Sequence, residues 1–352
     1  MKNELFKGRG ASIQPKNPYS KTDTVQEYLE GIDEPAITEK PATAYLFIQA
    51  KSALSKNDSP DLRLSYSVNP YSGCEHGCIY CYARNSHQYW GFDAGLGFET
   101  KILVKSNIVE QLEKEFKSKR YKPQPIMLSG NTDCYQPLEK KFQLTRGILK
   151  LCLKYGHPIS MVTKNALIER DADVLRQLAN KRLVHVYFSI NHLDRELKLK
   201  MEPRTATAEK KLELIDKFSG YGIPCGVMVA PIIPGLNLSD IHKIIRLAGE
   251  AGALAAGYTV VRLNGTIKEI FENWLKENFP DRYAKVMHQV ASLHGGRAND
   301  SEWGRRIKGT GPLATTIEKL FRTSVKKYLK DREMPDFDMT VFKSRGQLGL
   351  FS

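Results

Sequence analysis

The sequence of 352 residues lacks several features that would place it in a special structural class. No uninterrupted apolar run reaches the roughly 20 residues that a membrane-spanning helix needs. The most apolar stretch, Ile223–Leu236, is broken by three prolines. No apolar segment with a small-residue cleavage site follows Met1, so we expect no signal peptide, no membrane partner and a cytoplasmic protein. There is neither an internal repeat nor a low-complexity tract.

Cysteine is scarce, with six in the whole chain. In a chain of this length they do not form a disulfide framework. Three of them crowd into residues 74–81, which requires a chemical reason. Cys152 and Cys225 fall in a predicted helix and a predicted strand, and we expect both to lie in the core.

The composition is that of a globular protein, with 41% hydrophobic and 26% charged residues. The length suits one large α/β domain with appendages, or two domains. The net charge of +14 favours polyanionic partners such as nucleic acid, anionic membrane or RNA-rich assemblies. The alternative is that the excess lysines are simply solvated.

Short β-rich runs alternate with amphipathic helical runs from about residue 62 to 265. The predicted strands are Leu62–Val68, Pro125–Ser129, Ile159–Thr163, Val184–Ile190, Gly226–Ala230 and Tyr258–Leu263. The predicted helices are Asn107–Lys117, Thr145–Tyr155, Ala172–Asn180, Ala208–Tyr221 and Ser239–Ala251. Six βα units predict an α/β fold with a parallel sheet curled into a (β/α)6 TIM-like barrel, partial or complete.

The chain divides into four predicted regions. Residues 1–60 form an irregular N-terminal extension with one short helix at Thr24–Glu30, and residues 61–265 form the barrel. Residues 266–334 form a basic, helical C-terminal region, and residues 335–352 form a flexible tail. The C-terminal helices are predicted at Ile267–Asn278, Arg282–Leu293 and Leu313–Lys330.

Polar residues gather where the predicted strands end. In folds of this type ligand sites lie at the carboxyl ends of the parallel strands. These polar groups are Ser129–Asp133, Thr163–Asn165, Ser189–Asn191 and Arg262–Asn264.

The three crowded cysteines, Cys74, Cys78 and Cys81, have the spacing C-x3-C-x2-C on a loop after the first predicted strand. Thiolates select zinc, copper(I) or iron–sulfur centres. Three of them leave one iron of a four-iron cube open to a chelating ligand. A zinc site would need a fourth ligand, and His76 stands only two residues from Cys74 and Cys78, an awkward spacing for one tetrahedron. Three reduced structural cysteines are the remaining alternative.

With Tyr80 before the last cysteine, this motif resembles the signature of the radical S-adenosylmethionine (SAM) enzymes. The resemblance implies that Cys74, Cys78 and Cys81 hold a [4Fe-4S] cluster whose fourth iron is chelated by SAM. It implies reductive cleavage of SAM to a 5′-deoxyadenosyl radical, with an electron donor such as flavodoxin or ferredoxin. It also implies a partial (β/α)6 barrel.

Longer segments restrict the resemblance to one branch of this family. Asn69–Ala83, Gly130–Pro137 and Phe188–Asn191 are similar to the branch related to spore photoproduct lyase, often described as DNA-repair-photolyase-like. Gly8–Ala11 and Gly309–Pro312 are similar to a bacterial subgroup of that branch whose substrate is unknown to us. The resemblance covers nearly the whole chain, and it implies a lyase or oxidoreductase connected with DNA repair.

The resemblance also implies roles for single residues. Tyr80 would pack beside the adenine, Thr132 would place a hydroxyl near SAM, and Lys164 would pair with the SAM carboxylate. Ser189 and Asn191 would hydrogen-bond the methionine or ribose part. The alternative for each of these is a structural role at the rim of the barrel.

Two further candidates for the site are Arg204 and Cys134. Arg204 could clamp the SAM carboxylate and Glu202 the ribose, or the two could form a surface ion pair. Cys134 follows the second barrel strand, where we expect the mouth, and a cysteine in the corresponding loop of spore photoproduct lyase returns a hydrogen atom to the substrate. The match is not positional, because aligning Asp133 places Gly130 at that cysteine. The alternative for Cys134 is a buried inert thiol.

The chain ends in Gln347–Phe351, which is similar to the pentapeptide with which bacterial polymerases and repair proteins bind the replication sliding clamp. The alternative is that the tail packs on its own barrel. Together with the net charge and the basic helix Leu313–Lys330, this peptide favours an enzyme that acts on DNA. The other hypotheses are a radical SAM enzyme for a peptide or small metabolite, and a non-catalytic, metal-stabilised module that binds nucleic acid.

Overall fold

The computed structural model describes residues 8–19, 42–61 and 64–343. The predicted helix Thr24–Glu30 and the peptide Gln347–Phe351 lie outside these ranges. The strands are β1 (Ala44–Ile48), β2 (Leu54–Lys56), β3 (Tyr66–Val68), β4 (Tyr71–Ser72), β5 (Lys101–Lys105), β6 (Ile126–Leu128), β7 (Ile159–Thr163), β8 (Val184–Ser189), β9 (Cys225–Ile232) and β10 (Ala255–Val260).

The helices come between and after these strands. They are α1 (Arg84–His87), α2 (Leu96–Thr100), α3 (Ile108–Lys117), α4 (Glu139–Phe142), α5 (Leu144–Tyr155), α6 (Ala172–Asn180), α7 (Arg195–Met201), α8 (Ala208–Gly220), α9 (Ile241–Glu250), α10 (Ile267–Asn278), α11 (Tyr283–Leu293) and α12 (Gly311–Tyr328). Short 3-10 helices lie at Gln88–Trp90, Ala166–Asp171, Leu238–Asp240 and Pro280–Arg282. Within the described ranges, no helix is both long enough and apolar enough to cross a membrane.

The main sheet has seven strands in the order β10-β9-β8-β7-β6-β3-β2. The six strands from β10 to β3 are parallel, and β2 joins the edge antiparallel to β3. The two edge strands do not pair with each other, so the barrel is partial, as predicted. The strands carry apolar residues on both faces because helices cover one face and the barrel interior the other. This arrangement brings the carboxyl ends of six strands together at one rim.

A second sheet of three strands, in the order β1-β5-β4, was not predicted. β1 lies parallel to β5, and β4 lies antiparallel to it. The prediction that residues 1–60 are irregular apart from one short helix is therefore wrong at β1 and β2, which both fall in that range. Their partners are distant in sequence, and β1 is half exposed. A strand stabilised by remote pairing leaves only a weak local pattern.

The C-terminal helices pack on the core of the barrel. The ring of Phe321 in α12 lies 4.6 Å from that of Tyr258 in β10, centroid to centroid. The segment that follows α12 contacts the barrel where the structure describes it. Residues 335–343 run along the amino ends of β7 and β8, where Asp338 N donates to Arg182 O at 3.0 Å and Lys343 N to Tyr155 O at 2.9 Å. The aromatic side chains and backbone of this stretch therefore have partners, and the flexibility of residues 335–352 stays a prediction.

Candidate active site

Cys74, Cys78 and Cys81 lie on one loop that begins directly after β4, close to the carboxyl end of β3. We call residues 73–81 the cysteine loop. Cys74 and Cys78 are buried, and Cys81 is partly exposed. Gly77 allows the turn between the first two cysteines: its φ is +69°, and a Cβ there would stand 3.1 Å from Gly10 N. The loop therefore presents its thiols at the rim where the sequence predicts a ligand site.

The side chain of Gln136, which follows β6, holds the beginning of the cysteine loop. Its Oε1 accepts from Glu75 N at 2.9 Å, and its Nε2 donates to Gly73 O at 3.0 Å. Cys74 N donates to Phe98 O at 2.9 Å on another side. The five residues that take part in these bonds are all buried: Gly73, Cys74, Glu75, Phe98 and Gln136. Such bonds in a buried site fix the loop independently of any ligand.

The segment after α7 holds the middle of the same loop through backbone hydrogen bonds. Ile79 N donates to Met201 O at 3.1 Å, and Arg204 N donates to His76 O at 3.3 Å. This pairing places Glu202 and its neighbours directly against the cysteines. The barrel strand β8 thus contributes to the site both at its own end and through the turn beyond α7.

The three thiols fit an iron–sulfur cluster better than a single metal ion. Burial raises the pKa of Cys74, Cys78 and Cys81, and for Cys78 the nearby cations Lys164 and Arg84 oppose that rise. Metal charge stabilises such thiolates where water does not reach them. Among the described residues, no three His, Cys, Asp or Glu side chains are arranged to hold one ion. Thiolates that bind different irons of a cluster do not need to converge on one point.

His76, the fourth ligand that a zinc site would need, is already engaged. Its Nε2 lies 2.9 Å from Asn165 Nδ2, and its Nδ1 lies 3.4 Å from Asp133 Oδ2. Burial lowers its pKa to about 4, so the ring is neutral at pH 7. With both ring nitrogens facing polar partners, His76 orients the loop and does not complete a tetrahedron with the cysteines.

Lys164, which directly follows β7, reaches the centre of the rim. Its Nζ donates to Ser189 Oγ at 2.8 Å, to Glu202 Oε1 at 3.0 Å and to Ala230 O at 3.4 Å. The same atom stands 5.5 Å from the centroid of the Tyr80 ring. The ends of β7, β8 and β9 therefore meet the cysteine loop at one ammonium group.

Glu202 is fully buried beside this ammonium group. Tyr80 Oη donates to Glu202 Oε1, Thr205 Oγ1 donates to its Oε2 at 3.2 Å, and Asn191 Nδ2 donates to Tyr80 Oη at 3.3 Å. In the part of the chain that the structure describes, Asn191 Oδ1 is buried and accepts no hydrogen bond. A buried acceptor without a donor is costly, which marks Asn191 as a point where a ligand can bind.

The electrostatics of this group favour a ligand carboxylate. Burial lowers the pKa of Lys164 and raises that of Glu202, whose charged form is favoured by the neighbouring Lys211. Lys211 is itself buried, and its Nζ donates to Ser189 O at 2.8 Å. Asp133 also acts on both lysines, so two ammonium groups lie with two carboxylates in a poorly hydrated place. A ligand carboxylate that replaced one contact of Lys164 would keep this ammonium group paired.

The structure thus brings four of the predicted SAM-binding residues together with the cysteines: Tyr80, Lys164, Ser189 and Asn191. Thr132 makes a different contact: its Oγ1 donates to Tyr71 O at 2.9 Å, and the residue is buried. The side chain of Arg204 is directed to other partners. Its Nε donates to Gly8 O at 3.0 Å, and its Nη1 lies 3.6 Å from Glu75 Oε1.

Cys134 does not lie at the mouth, where the sequence analysis expects it. It is completely buried in the main hydrophobic core, and burial raises the pKa of its thiol. Its backbone is held by Thr145 Oγ1, which donates to Cys134 O at 2.7 Å. Its role as a hydrogen donor stays a prediction. Cys152 and Cys225 lie in the core as predicted.

Sequence reasoning missed several residues that hold the site. Asp133 accepts from Thr163 Oγ1 at 2.8 Å and from Lys164 N at 2.7 Å, so it joins the loop after β6 to the end of β7. Gln136, Arg84 and Glu99 support the cysteine loop in a similar way. Asp133 and Gln136 stand in the motif Gly130–Pro137, which could have indicated them; Glu99 carries no sequence signal.

Two curated relatives have similar sequences. The chain is 35% identical to a protein of Mycobacterium tuberculosis over 237 residues, which are 66% of this chain and 70% of that protein. It is 30% identical to a protein of Methanocaldococcus jannaschii over 245 residues, which are 69% of this chain and 87% of that protein.

Solved structures of spore photoproduct lyase have a similar fold. The enzyme complexed with dinucleoside spore photoproduct matches with a TM-score of 0.60 at 18% identity, covering 86% of this chain and 85% of that chain. A mutant with bound AdoMet and dinucleoside spore photoproduct matches with a TM-score of 0.59 at 17% identity, covering 81% and 79%. Residues 68–248 match the Radical SAM superfamily. The chain belongs to this superfamily, and its cofactors are a [4Fe-4S] cluster and SAM.

Proposed function

We propose that the protein is a cytoplasmic radical SAM enzyme, of lyase or oxidoreductase type, that reductively cleaves SAM and acts on nucleic acid. The observation that carries the first part is the position of Lys164. Its ammonium group lies among the ends of three parallel strands and against the aromatic residue of the cysteine loop. In this proposal Cys74, Cys78 and Cys81 hold the cluster.

When both cofactors are bound, electron transfer from the cluster to SAM supplies the 5′-deoxyadenosyl radical. The chain's own residues bind and orient. All three donors of Lys164 are directed at acceptors, so a SAM carboxylate would replace its longest contact, the 3.4 Å bond to Ala230 O. Asn191 Oδ1 is the free acceptor for a donor on the same cofactor. Burial of Tyr80, Ser189 and Glu202 keeps water away from the reacting groups.

The test is an anaerobic reconstitution with iron and sulfide, followed by dithionite and SAM. We expect the wild-type protein to produce 5′-deoxyadenosine and Cys78→Ala to produce none. Cys152→Ala is the matched control, because that thiol is a buried core residue remote from the loop. A protein that loads zinc in place of iron and never binds SAM would contradict the proposal and favour a metal-stabilised binding module.

The surface beside β10 supports a nucleic-acid substrate. The link from α11 to α12 lies along the free edge of this strand, where Val260 N donates to Ile307 O at 2.9 Å. The link carries four basic residues, of which Arg305 and Arg306 are paired with Asp300 and Asp61, and its Trp303 is 61% exposed. An exposed aromatic ring among cations is a platform on which a base can stack. The basic residues are Arg297, Arg305, Arg306 and Lys308.

A second aromatic side chain stands closer to the cysteines. Tyr82 follows Cys81, is 57% exposed and donates through Oη to Gly130 O at the end of β6. It lies near Arg262, since each affects the pKa of the other. In the described part of the structure, Arg262 Nε is buried without a hydrogen-bond partner. A phosphate group would satisfy this donor.

The test for the substrate class is binding of single-stranded DNA at several salt concentrations. We expect Trp303→Ala to weaken binding about tenfold, the loss of one base stack of roughly 1–3 kcal/mol. Tyr221→Ala, at an exposed aromatic residue that follows α8 and lies outside the link, should leave binding unchanged. Binding that is absent, or that does not depend on salt, would contradict a nucleic-acid substrate and favour a peptide or small metabolite.

We further propose that Gln347–Phe351 binds the replication sliding clamp and that flavodoxin or ferredoxin reduces the cluster. Lys343, the last described residue, is held at the amino end of the sheet, opposite the cysteine loop. A clamp bound to the tail would therefore leave the opposite rim of the sheet, where the cysteine loop lies, accessible to substrate. Deleting residues 344–352 should abolish co-elution with purified clamp without reducing 5′-deoxyadenosine formation. Co-elution of the truncated protein with the clamp would contradict the clamp proposal. Failure of both flavodoxin and ferredoxin to reduce the cluster would contradict the proposed electron donors.

A further inference from the structure

A buried ion pair connects the cysteine loop to the N-terminal extension. Arg84 Nη2 lies 2.6 Å from Glu99 Oε1, and both side chains are completely buried. Arg84 Nε donates to Cys78 O at 3.0 Å, so this pair touches the backbone of a cluster ligand. Such a pair is costly to desolvate and is tolerated only where each group is fully hydrogen-bonded.

The other partners of Glu99 come from the N-terminal extension. Gly10 N donates to Oε2 at 3.0 Å, and Ala11 N donates to Oε1 at 2.9 Å. Arg9 Nη1 also donates to Glu99 O at 2.8 Å. One carboxylate therefore binds two consecutive backbone N–H groups of the extension and the arginine that holds Cys78. We call residues Gly8–Ile13 the strap.

The strap lies directly on the cysteine loop, with no room for a side chain between them. A Cβ added at Gly10 would stand 1.7 Å from Gly77 O, the carbonyl that precedes Cys78. Ala11 is 2% exposed and packs in one apolar cluster with Cys78 and Tyr80. Only glycine permits this approach of the two backbones.

Both ends of the strap are fixed to parts of the site. Arg204 Nε donates to Gly8 O at 3.0 Å from the segment that also pairs with the cysteine loop. At the other end, a Cβ added at Gly95 would stand 2.0 Å from Ile13 O, so these backbones are also in close contact. Contacts at both ends and in the middle exclude water from the strap side of Cys78.

We propose that the strap is a structural part of the cluster site: Glu99 and Arg84 are positioning residues that clamp it over Cys78, and the closed strap retains the cluster and shields it from solvent. This inference rests on the proposed cluster site and deepens it. It also gives Arg204 a role in anchoring the strap.

The experiment compares Gly10→Ala with Gly220→Ala, because nothing lies within 4 Å of a Cβ added at Gly220. In reconstituted protein under a chelator, we expect Gly10→Ala to lose iron at least about tenfold faster, as for other substitutions beside metal ligands. Its cluster should also change in reduction potential, which a general loss of stability would not cause. Glu99→Gln, which keeps the shape of the side chain, should show the same effects more weakly.

A second readout uses the iron-free protein. We expect faster amide exchange in residues 73–81 of Gly10→Ala and unchanged exchange in residues 159–163. Equal iron loss, potential and exchange in Gly10→Ala and Gly220→Ala would overturn the inference. If the wild-type protein takes up no cluster, the proposed function fails, while the exchange comparison still decides whether the strap holds the loop.

Discussion

The two ends of the main sheet bury very different groups. At the carboxyl ends of the strands, the charged side chains of Glu202 and Lys211 are buried, and that of Lys164 is 15% exposed. At the amino ends, the interior is aromatic: the rings of Phe116 and His157 stack at 4.4 Å between centroids. His185 and Phe337 stack there at 3.9 Å.

This difference indicates that stability depends mainly on the amino ends of the strands and ligand binding on their carboxyl ends. Aromatic stacking at the amino ends stabilises the folded chain directly. Buried charges at the carboxyl ends offset each other at best, because desolvation cancels most of their attraction. In our proposal, the charges at this rim, beside three clustered thiols, serve binding and not stability.

The largest expected effect is on stability and lies at the amino end. Phe116 is completely buried against four aromatic rings, so Phe116→Ala should lower the free energy of unfolding by about 3–5 kcal/mol. Urea unfolding of the iron-free protein measures this, with Phe47→Ala, at a side chain 62% exposed, as the control. In folded, reconstituted protein, SAM affinity should not change. A large loss of SAM affinity would contradict the conclusion that the amino ends of the strands support stability and the carboxyl ends support binding.

The next effect is on cofactor binding and lies at the carboxyl end. Lys164→Met keeps the length of the side chain and removes its charge. We expect SAM to bind about 10- to 100-fold more weakly, since a hydrogen bond to a charged group is worth roughly 1.5–3 kcal/mol. Equilibrium binding to reconstituted protein measures this, and Lys154→Met, at an exposed lysine of α5, is the control. Unchanged affinity in Lys164→Met would place SAM elsewhere.

A smaller effect concerns pH and again the amino end. Burial lowers the pKa of His157 to about 4, below the 6.5 of an exposed histidine. The unfolded chain therefore binds a proton that the folded chain does not, and stability is lost as pH falls from about 6.5 toward 4. The contribution of this group is up to roughly 1.4 kcal/mol per pH unit. Urea unfolding at pH 7 and pH 5 should show a smaller difference for His157→Gln than for the wild type, and equal differences would refute this cause.

The smallest expected effect is that of removing residues 344–352. Lys343 N still donates to Tyr155 O in the shortened chain, so the midpoint of thermal unfolding should stay within about a degree of the wild-type value. A larger decrease would mean that the tail packs on the barrel, the alternative that the sequence left open.

The sequence predicted the barrel well because its strands and helices have strong local patterns. β7 and α6 begin and end at the predicted residues, since a parallel strand buried on both faces and an amphipathic helix are both recognisable locally. The positions of Lys164 and Ser189 followed from the rule that ligand sites lie at strand ends. β1, whose partner β5 is remote in sequence, could not be predicted in this way.

Parts of the site were beyond sequence reasoning for a related reason. Glu99 binds residues 10 and 11, from which it is separated by 89 and 88 positions in the sequence. Cys134 follows a strand, as predicted, but its side chain turns into the core. The direction of a side chain after a strand depends on the conformation of the turn that follows the strand. Ser129, at the start of the turn after β6, has a φ of +78°. The sequence around Ser129 does not indicate this conformation.

The central claim is that the buried charges at the carboxyl rim bind SAM beside a cluster held by the cysteine loop. The most direct test is the electron paramagnetic resonance spectrum of the dithionite-reduced cluster before and after addition of SAM. In the wild-type protein we predict a change in g-values on addition of SAM. In Lys164→Met, with the same iron content, we predict little or no change at the same SAM concentration. Identical responses of the two proteins, or no response in the wild type, would contradict the account.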